Sequence, residues 1–345
     1  MPTYARKDWQ MVSIYSFTHF LVDFACAFFM YRSVAGTPEG YLCVLLYNFC
    51  AFAMQMPLGI VADKLNRNFV VAIIGCILVG AAYGFLSLPI AAVIVIGIGN
   101  AMFHIGGGID VLNVSEKKLG ALGIFVSPGA IGVYYGTILG RGGNFSAIFI
   151  PVILIAAAAL IFALHKSQKG MYPQNAEFSL DGIRSGRILV VAACLFLVVC
   201  LRSFVGLALN FTWKSIGCWG TALICAVVFG KTIGGFAADR FGLRRTVIAS
   251  LGLATLLFIF PTVPLAGVSA VLLFNMTMPI TLWVMAKIIP GAKGFAFGLL
   301  TFGLFLGFLP VYLGVEVSSG MSWLFMLFSV MSLVLLWYGL RRAKL

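Results

Sequence analysis

Two residues with opposite chemical habits stand four positions apart in an oily run, HFLVDFACAFF, His19 to Phe29. On a helix, four positions turn about 400°, so His19 and Asp23 share one face about one turn apart. The surrounding segment, from about Trp9 to Tyr31, is long enough to cross a bilayer, because roughly 20 apolar residues at 1.5 Å each span a hydrocarbon core of ~30 Å. A charge near the middle of such a segment costs at least ~2.5–3.5 kcal/mol on insertion scales, so its presence asks for a partner. Two readings stay open. Asp23 and His19 could be a buried pair that fixes helix packing, or Asp23 could take up and release a proton while His19 tunes it, burial raising a carboxylate's pKa and a nearby cation lowering it.

Composition sets the setting for that pair. Of 345 residues, 62% are hydrophobic and only 10% charged, which excludes a soluble globular protein and predicts a polytopic membrane protein. Twelve apolar segments centre near residues 20, 50, 77, 100, 130, 154, 199, 226, 254, 276, 304 and 331, leaving little chain for any soluble domain. The net charge of +13 would fit nucleic-acid binding, but its distribution fits membrane topology instead. With both termini placed in the cytoplasm, Arg6, Lys7, Lys64, Arg67, Lys117, Lys118, Lys166, Lys169, Arg184, Arg187, Arg240, Arg244, Arg245, Lys287, Lys293, Arg341, Arg342 and Lys344 fall on the inner side. Only Arg32, Arg141 and Lys214 fall in outer loops. The expected location is therefore an integral protein of a bacterial inner membrane, its first segment retained rather than cleaved.

Eight cysteines lie almost entirely within apolar segments with no CxxC spacing, and read as small packing residues rather than disulfides or metal ligands. The sequence shows no nucleotide-binding loop and no metal-ligand cluster, so neither an enzyme nor an ATP-driven pump is expected, and no cofactor beyond a coupling ion, H⁺.

The longest polar interruption, HKSQKGMYPQNAEFSLDGIRSGR from His165 to Arg187, divides the chain. The expected organisation is an N-terminal six-helix bundle over residues 1–165, a cytoplasmic linker over 166–187 and a C-terminal six-helix bundle over 188–345. After the second segment comes GIVADKLNRN, Gly59 to Asn68; after the eighth comes GGFAADRFGLRR, Gly234 to Arg245. With Asp63 aligned on Asp239, each has a Gly four residues before, a Lys or Arg directly after and another basic residue four or five later, which is an internal repeat.

These paired loops resemble the G-x-x-x-D-[RK]-x-G-[RK]-[RK] signature of the major facilitator superfamily, at the place that family carries it in each half. The first copy has Asn66 where Gly is usual, and the second has an extra residue before Arg244. The resemblance implies an all-α fold of twelve transmembrane helices in two pseudo-symmetric six-helix bundles and a secondary transporter working by alternating access. It also implies that Asp63, Arg67, Asp239 and Arg240 act as a conformational gate, with Asp110 or Glu116 as the acid for Arg67. HFLVD at 19–23 together with NAMFHIGGG at 100–108 is similar to the fosmidomycin-resistance branch, which carries His-x-x-x-Asp in helix one and Phe-His in helix four. Here Ile105 follows Phe103-His104 where that branch has Pro, and the Arg of the proton-antiporter fourth helix is absent, Asn100 being the nearest polar residue. SPGAIGVYYG, Ser127 to Gly136, is similar to the glycine-proline motif of antiporter helix five.

The repeat also locates a cation. Moving Asp23 by the repeat offset lands beside Arg202, at similar depth on the symmetry-related seventh helix, which makes Arg202 the expected partner of Asp23, in direct contact or across a bound solute. Lys231, eight residues before Asp239, lies ~12 Å inside the helix end and either snorkels there or faces the cavity, and its repeat equivalent is Gln55. His104 is either a hydrogen-bonded structural histidine or a lining residue. Tyr15, Asn48, Tyr134, Tyr135, Asn275 and Trp283 are weaker candidates, and Glu316 reads as an interfacial residue.

Cavity candidates Arg202 and Lys231 exceed Asp23 by one formal charge, which favours an anionic or zwitterionic small solute. Proton-coupled export by a monomer is the expected function. A proton-coupled importer of an organic anion or nutrient and a multidrug efflux pump are the alternatives, and a non-transporting membrane sensor or scaffold comes from a different class.

Overall fold

The computed structural model describes residues 6–143, 145–168, 174–318 and 323–345. Lys169, one of the expected inner basic residues, lies outside them, as does the rest of 169–173 in the linker. Every one of the twelve apolar segments is helical: α1 (Arg6–Val34), α2 (Gly40–Leu65), α3 (Asn68–Gly84), α4 (Pro89–Val114), α5 (Gly120–Gly142), α6 (Phe149–Ser167), α7 (Gly186–Ala208), α8 (Trp219–Phe241), α9 (Leu243–Leu257), α10 (Pro264–Ile288), α11 (Lys293–Tyr312) and α12 (Trp323–Ala343). Ten are long and apolar enough to span a membrane; α3 is a shorter apolar helix, and α9 has only 15 residues. Their outward faces are apolar, as lipid requires: α6 exposes Phe149, Val152, Ile155 and Phe162.

The chain forms two compact units. The first comprises the chain up to Val114, Pro128–Phe178 and Gly291–Leu299; the second comprises Ser115–Ser127, Ser179–Pro290 and Leu300–Leu345. Each unit therefore includes one helix start from the other half of the sequence. The α5 helix changes unit at its break at Val126 and Ser127, ahead of Pro128, which has no N–H to continue the ladder.

Within the first unit, α1 and α5 approach backbone to backbone. Gly129, Gly132, Gly136 and Gly140 recur every three or four residues and form a ridge without side chains. A methyl on Gly132 or Gly136 would overlap the carbonyl oxygen of Phe20 or Phe24. The glycines of α4 serve the same end, Gly106 lying against the α3 backbone at Asn68 and Ala72, and α4 runs unbroken through them. Close packing, not a bend, accounts for them.

All eight cysteines are free thiols; Cys26, Cys43, Cys50, Cys76 and Cys194 are buried, whereas Cys218 and Cys225 are exposed. Glu316 is exposed.

Candidate functional site

The helices α1 and α4 run antiparallel in the first unit and meet through three successive polar contacts. Tyr15 Oη donates to Asp110 Oδ2 at 2.7 Å, His19 Nε2 lies 2.9 Å from His104 Nε2, and Asn100 Nδ2 donates to Asp23 Oδ1 at 3.1 Å. Tyr15, His19 and Asp23 are spaced four apart on α1, and Asn100 and His104 four apart on α4, so each set shares one helix face.

Asp23 finds its partners inside its own unit. His19 Nε2 is 3.2 Å from its Oδ2 and His104 Nε2 is 3.6 Å from its Oδ1. Both histidines are buried, and the Asp23 side chain keeps 16% of its surface exposed. Asn100 contributes twice, since its backbone carbonyl also accepts from His104 Nδ1 at 2.9 Å. A carbonyl can only accept, which places a proton on His104 Nδ1 and leaves Nε2 facing His19 and Asp23. The α5 helix closes the site with Gly129, where a methyl would overlap both Asp23 Oδ2 and His19 Nε2.

No metal-ligand cluster is evident along the chain, yet His19, Asp23 and His104 each bring a ligand atom within 4.8 Å of the others. The separation of residues 23 and 104 in sequence hides this; helix packing creates it. Asn100, outside the expected site, joins it because it sits one turn from His104.

Asp110, one of the two acids expected for Arg67 beside Glu116, takes other partners. Its oxygens accept from Tyr15 at 2.7 Å and Asn68 Nδ2 at 2.8 Å, and Arg67 is exposed. Asp110 sits between helices, where Tyr15 and Asn68 reach it, while Arg67 precedes α3 and turns to the surface. Asn175 of the linker extends this network, bonding both Asn68 and Asn113, and Asn113 Oδ1 accepts from the buried Lys293 Nζ at 2.9 Å.

The paired loops act as caps. Asp63 accepts from the backbone N–H groups of Gly294 (2.8 Å) and Phe295 (2.9 Å) at the start of α11. Asp239 accepts from Leu119 (2.7 Å) and Gly120 (2.9 Å) at the start of α5. Each carboxylate satisfies two orphan donors and faces the positive end of a helix dipole. The departure at Asn66 is also explained: it adopts φ +46° and ψ +42°, the left-handed helical region that asparagine tolerates better than most side chains, whereas Gly242 in the second loop takes φ +87° and ψ +155°, a conformation open essentially to glycine alone. Arg240 is exposed.

In the second unit, the buried Arg202 donates to Thr281 Oγ1 at 3.3 Å. Lys231 Nζ donates to the Val126 carbonyl at 3.1 Å, serving the interrupted backbone of α5. Trp283 Nε1 donates to the Ser115 carbonyl at 2.7 Å, and its ring lies under Lys287. Gln55 is fully buried in the first unit; its Nε2 donates to Ala51, and its Oε1 has no hydrogen-bond partner among the described residues. Asn48 and Asn275 bond back to carbonyls four residues earlier, Val44 and Val271, and Tyr134 packs its ring on Tyr135.

The sequence matches no protein-family model and no curated protein. Solved structures match along its whole length. FucP, described as a major facilitator superfamily transporter in the outward conformation, aligns with TM-score 0.67 at 15% identity, covering 98% of this chain and 99% of its own. A second FucP structure, of a single-residue variant of the E. coli fucose:proton symporter, gives TM-score 0.67 at 11% identity with 99% of each chain covered. A bacterial homologue of the iron transporter ferroportin, in an outward-facing state, gives 0.64 at 13% identity, again over 99% of each. With twelve helical segments in order and a duplicated Asp-capped loop after α2 and α8, the chain has the fold of the major facilitator superfamily.

Proposed function

We propose that the protein is a secondary transporter which carries a small anionic or zwitterionic organic solute by alternating access of two six-helix bundles, coupled to protons and working as an exporter. The observation that carries this reading is the cluster of His19, Asp23, His104 and Asn100 within the membrane-spanning helices. Intramembrane ionisable groups are costly and mark solute and proton pathways, and a scaffold has no use for such a cluster at one place. The two Asp-capped helix starts supply contacts that can break and reform as the bundles move, the work of the conformational gate. Arg202 is the cation proposed to balance the solute's charge, with Lys231 a second contributor. The proposed setting is a bacterial cytoplasmic membrane with both termini inside, following the distribution of Lys and Arg.

Import is the second reading, favoured by one comparison: the E. coli protein of this fold is a fucose:proton symporter.

The deciding experiment is solute-triggered proton movement in proteoliposomes, read with an internal pH dye over a panel of organic anions, for the parent and Asp23→Asn. A pH change that needs both one particular anion and Asp23 supports the reading, and its sign under an imposed solute gradient gives the direction. A parent that moves solute with no pH change sinks the proton coupling; one that responds only to cations or lipophilic compounds sinks the anionic solute.

A further inference from the structure

We infer that His19, His104 and Asp23 form a binding site for a divalent first-row transition-metal ion. Among the described residues they are the one group of three His, Cys, Asp or Glu side chains placed to share an ion. Four-coordinate zinc holds nitrogen and oxygen donors at about 2.0–2.1 Å, which puts neighbouring donors about 3.3 Å apart, and octahedral coordination brings them to about 3.0 Å. The three separations here are 2.9 Å between the imidazole Nε2 atoms, 3.2 Å from His19 to Asp23 Oδ2 and 3.6 Å from His104 to Asp23 Oδ1. The two histidines face different oxygens of the one carboxylate, and one donor atom from each of the three residues lies within 4.8 Å of the others, close enough for small side-chain shifts to bring them onto one ion.

Two further features point the same way. Histidines that bind metal through one ring nitrogen almost always donate the other N–H to a carbonyl or carboxylate, which fixes tautomer and orientation. His104 does this, with Nδ1 on the Asn100 carbonyl and Nε2 turned to Asp23 and His19. The Asn100 side chain holds Asp23 Oδ1 as well, so one residue orients two ligands. The second feature is Gly129, whose lack of a side chain lets α5 pack directly against Asp23 Oδ2 and His19 Nε2, so that a third helix fixes both donors in place.

The donor chemistry narrows the ion. Two imidazoles and one carboxylate suit Zn²⁺, Co²⁺, Ni²⁺ or Fe²⁺, whereas Mg²⁺ and Ca²⁺ take oxygen cages. Three protein donors leave at least one position for water or for a donor atom of a bound solute. The inference goes beyond the proposed transport cycle, because equilibrium binding requires neither a gradient nor a solute.

The test is Co²⁺ and Zn²⁺ titration of the purified, chelator-treated full chain in detergent, following the visible d–d bands of Co²⁺ and the heat of Zn²⁺ binding. One Co²⁺ per chain, displaced by Zn²⁺ and untouched by Mg²⁺, is expected. His19→Gln, His104→Gln and Gly129→Ala should each weaken binding at least tenfold, and Asn100→Ala roughly tenfold to a hundredfold. Comparing their thermal unfolding with the parent's identifies any variant that fails to fold, and Cys218→Ser/Cys225→Ser, which alters only exposed thiols, should bind as the parent does. A parent that binds no stoichiometric Co²⁺ overturns the site, as does binding that persists at parental affinity in folded His19→Gln and His104→Gln.

Discussion

Asp63 accepts the backbone N–H of Gly294 from 231 residues away, and the second half of the chain repeats the contact between Asp239 and Leu119. The offsets agree: 239 − 63 = 176 and 294 − 119 = 175, so the repeat read in the loops extends to the helix starts they cap. Removing an N-cap acceptor costs about 1 kcal/mol, a factor of about five in a local opening equilibrium. Asp63→Ala should therefore speed hydrogen exchange at the amides of Gly294 and Phe295 by about that factor, and Asp239→Ala should do the same at Leu119 and Gly120. Exchange unchanged at those four amides would show that the carboxylates do not hold the helix starts.

The glycine ridge of α5 is a packing device whose removal has a graded outcome. Alanine at Gly132 or Gly136 meets α1 backbone, which cannot yield as a side chain can, and overpacking of this kind costs about 1–3 kcal/mol. Alanine at Gly142 meets nothing within 4 Å and should be neutral. Thermal unfolding in detergent should rank the parent and Gly142→Ala above Gly132→Ala and Gly136→Ala. Equal midpoints for all four would mean that α1 and α5 are not in this contact.

Much of this arrangement was legible in the sequence, for reasons that also explain what was not. Hydropathy located the spans because lipid tolerates only apolar helices, and the four-residue spacing of His19 and Asp23 gave their shared face directly. The repeat identified Asp63 and Asp239 as a pair, but not the amides they cap, which lie more than a hundred residues away from each. His104 stood out by type, while its meeting with His19 depends on the register of α4 against α1, which a single sequence leaves unset. Asn100 had one available signal, its place four residues before His104. The sequence leaves the acid for Arg67 open between Asp110 and Glu116 for a related reason: a charge rule offers both, and that Tyr15 and Asn68 reach Asp110 depends on helix packing.

That substitution of neutral partners for a salt bridge can be measured. Hydrogen bonds to charged groups contribute about 1.5–3 kcal/mol, so Tyr15→Phe should destabilise the protein clearly, and Arg67→Ala should leave its unfolding midpoint within error. In a double-mutant cycle with Asp110→Asn, Tyr15→Phe should show a coupling of about 0.5–3 kcal/mol and Arg67→Ala none. Coupling found with Arg67 instead would restore the ion pair and displace the tyrosine.

Arg202 and Lys231 carry the same charge but meet different atoms, and their variants should fail differently. Lys231 Nζ donates to the Val126 carbonyl at the break of α5, so Lys231→Met leaves a backbone acceptor without that donor and should lower the unfolding midpoint. Arg202 is buried and, among the described residues, donates to one neutral hydroxyl, Thr281, which leaves most of its five N–H donors for a solute. If the proposed function holds and the solute is an anion, Arg202→Met should raise KM by about tenfold or more, and Arg202→Lys should recover only part of it, because an ammonium lacks the bidentate fork. Thr281→Val should change KM by no more than a few fold. Initial rates in proteoliposomes at varied solute concentration separate these outcomes: a KM that moves with Lys231→Met and not with Arg202→Met would transfer the solute's charge recognition from α7 to α8.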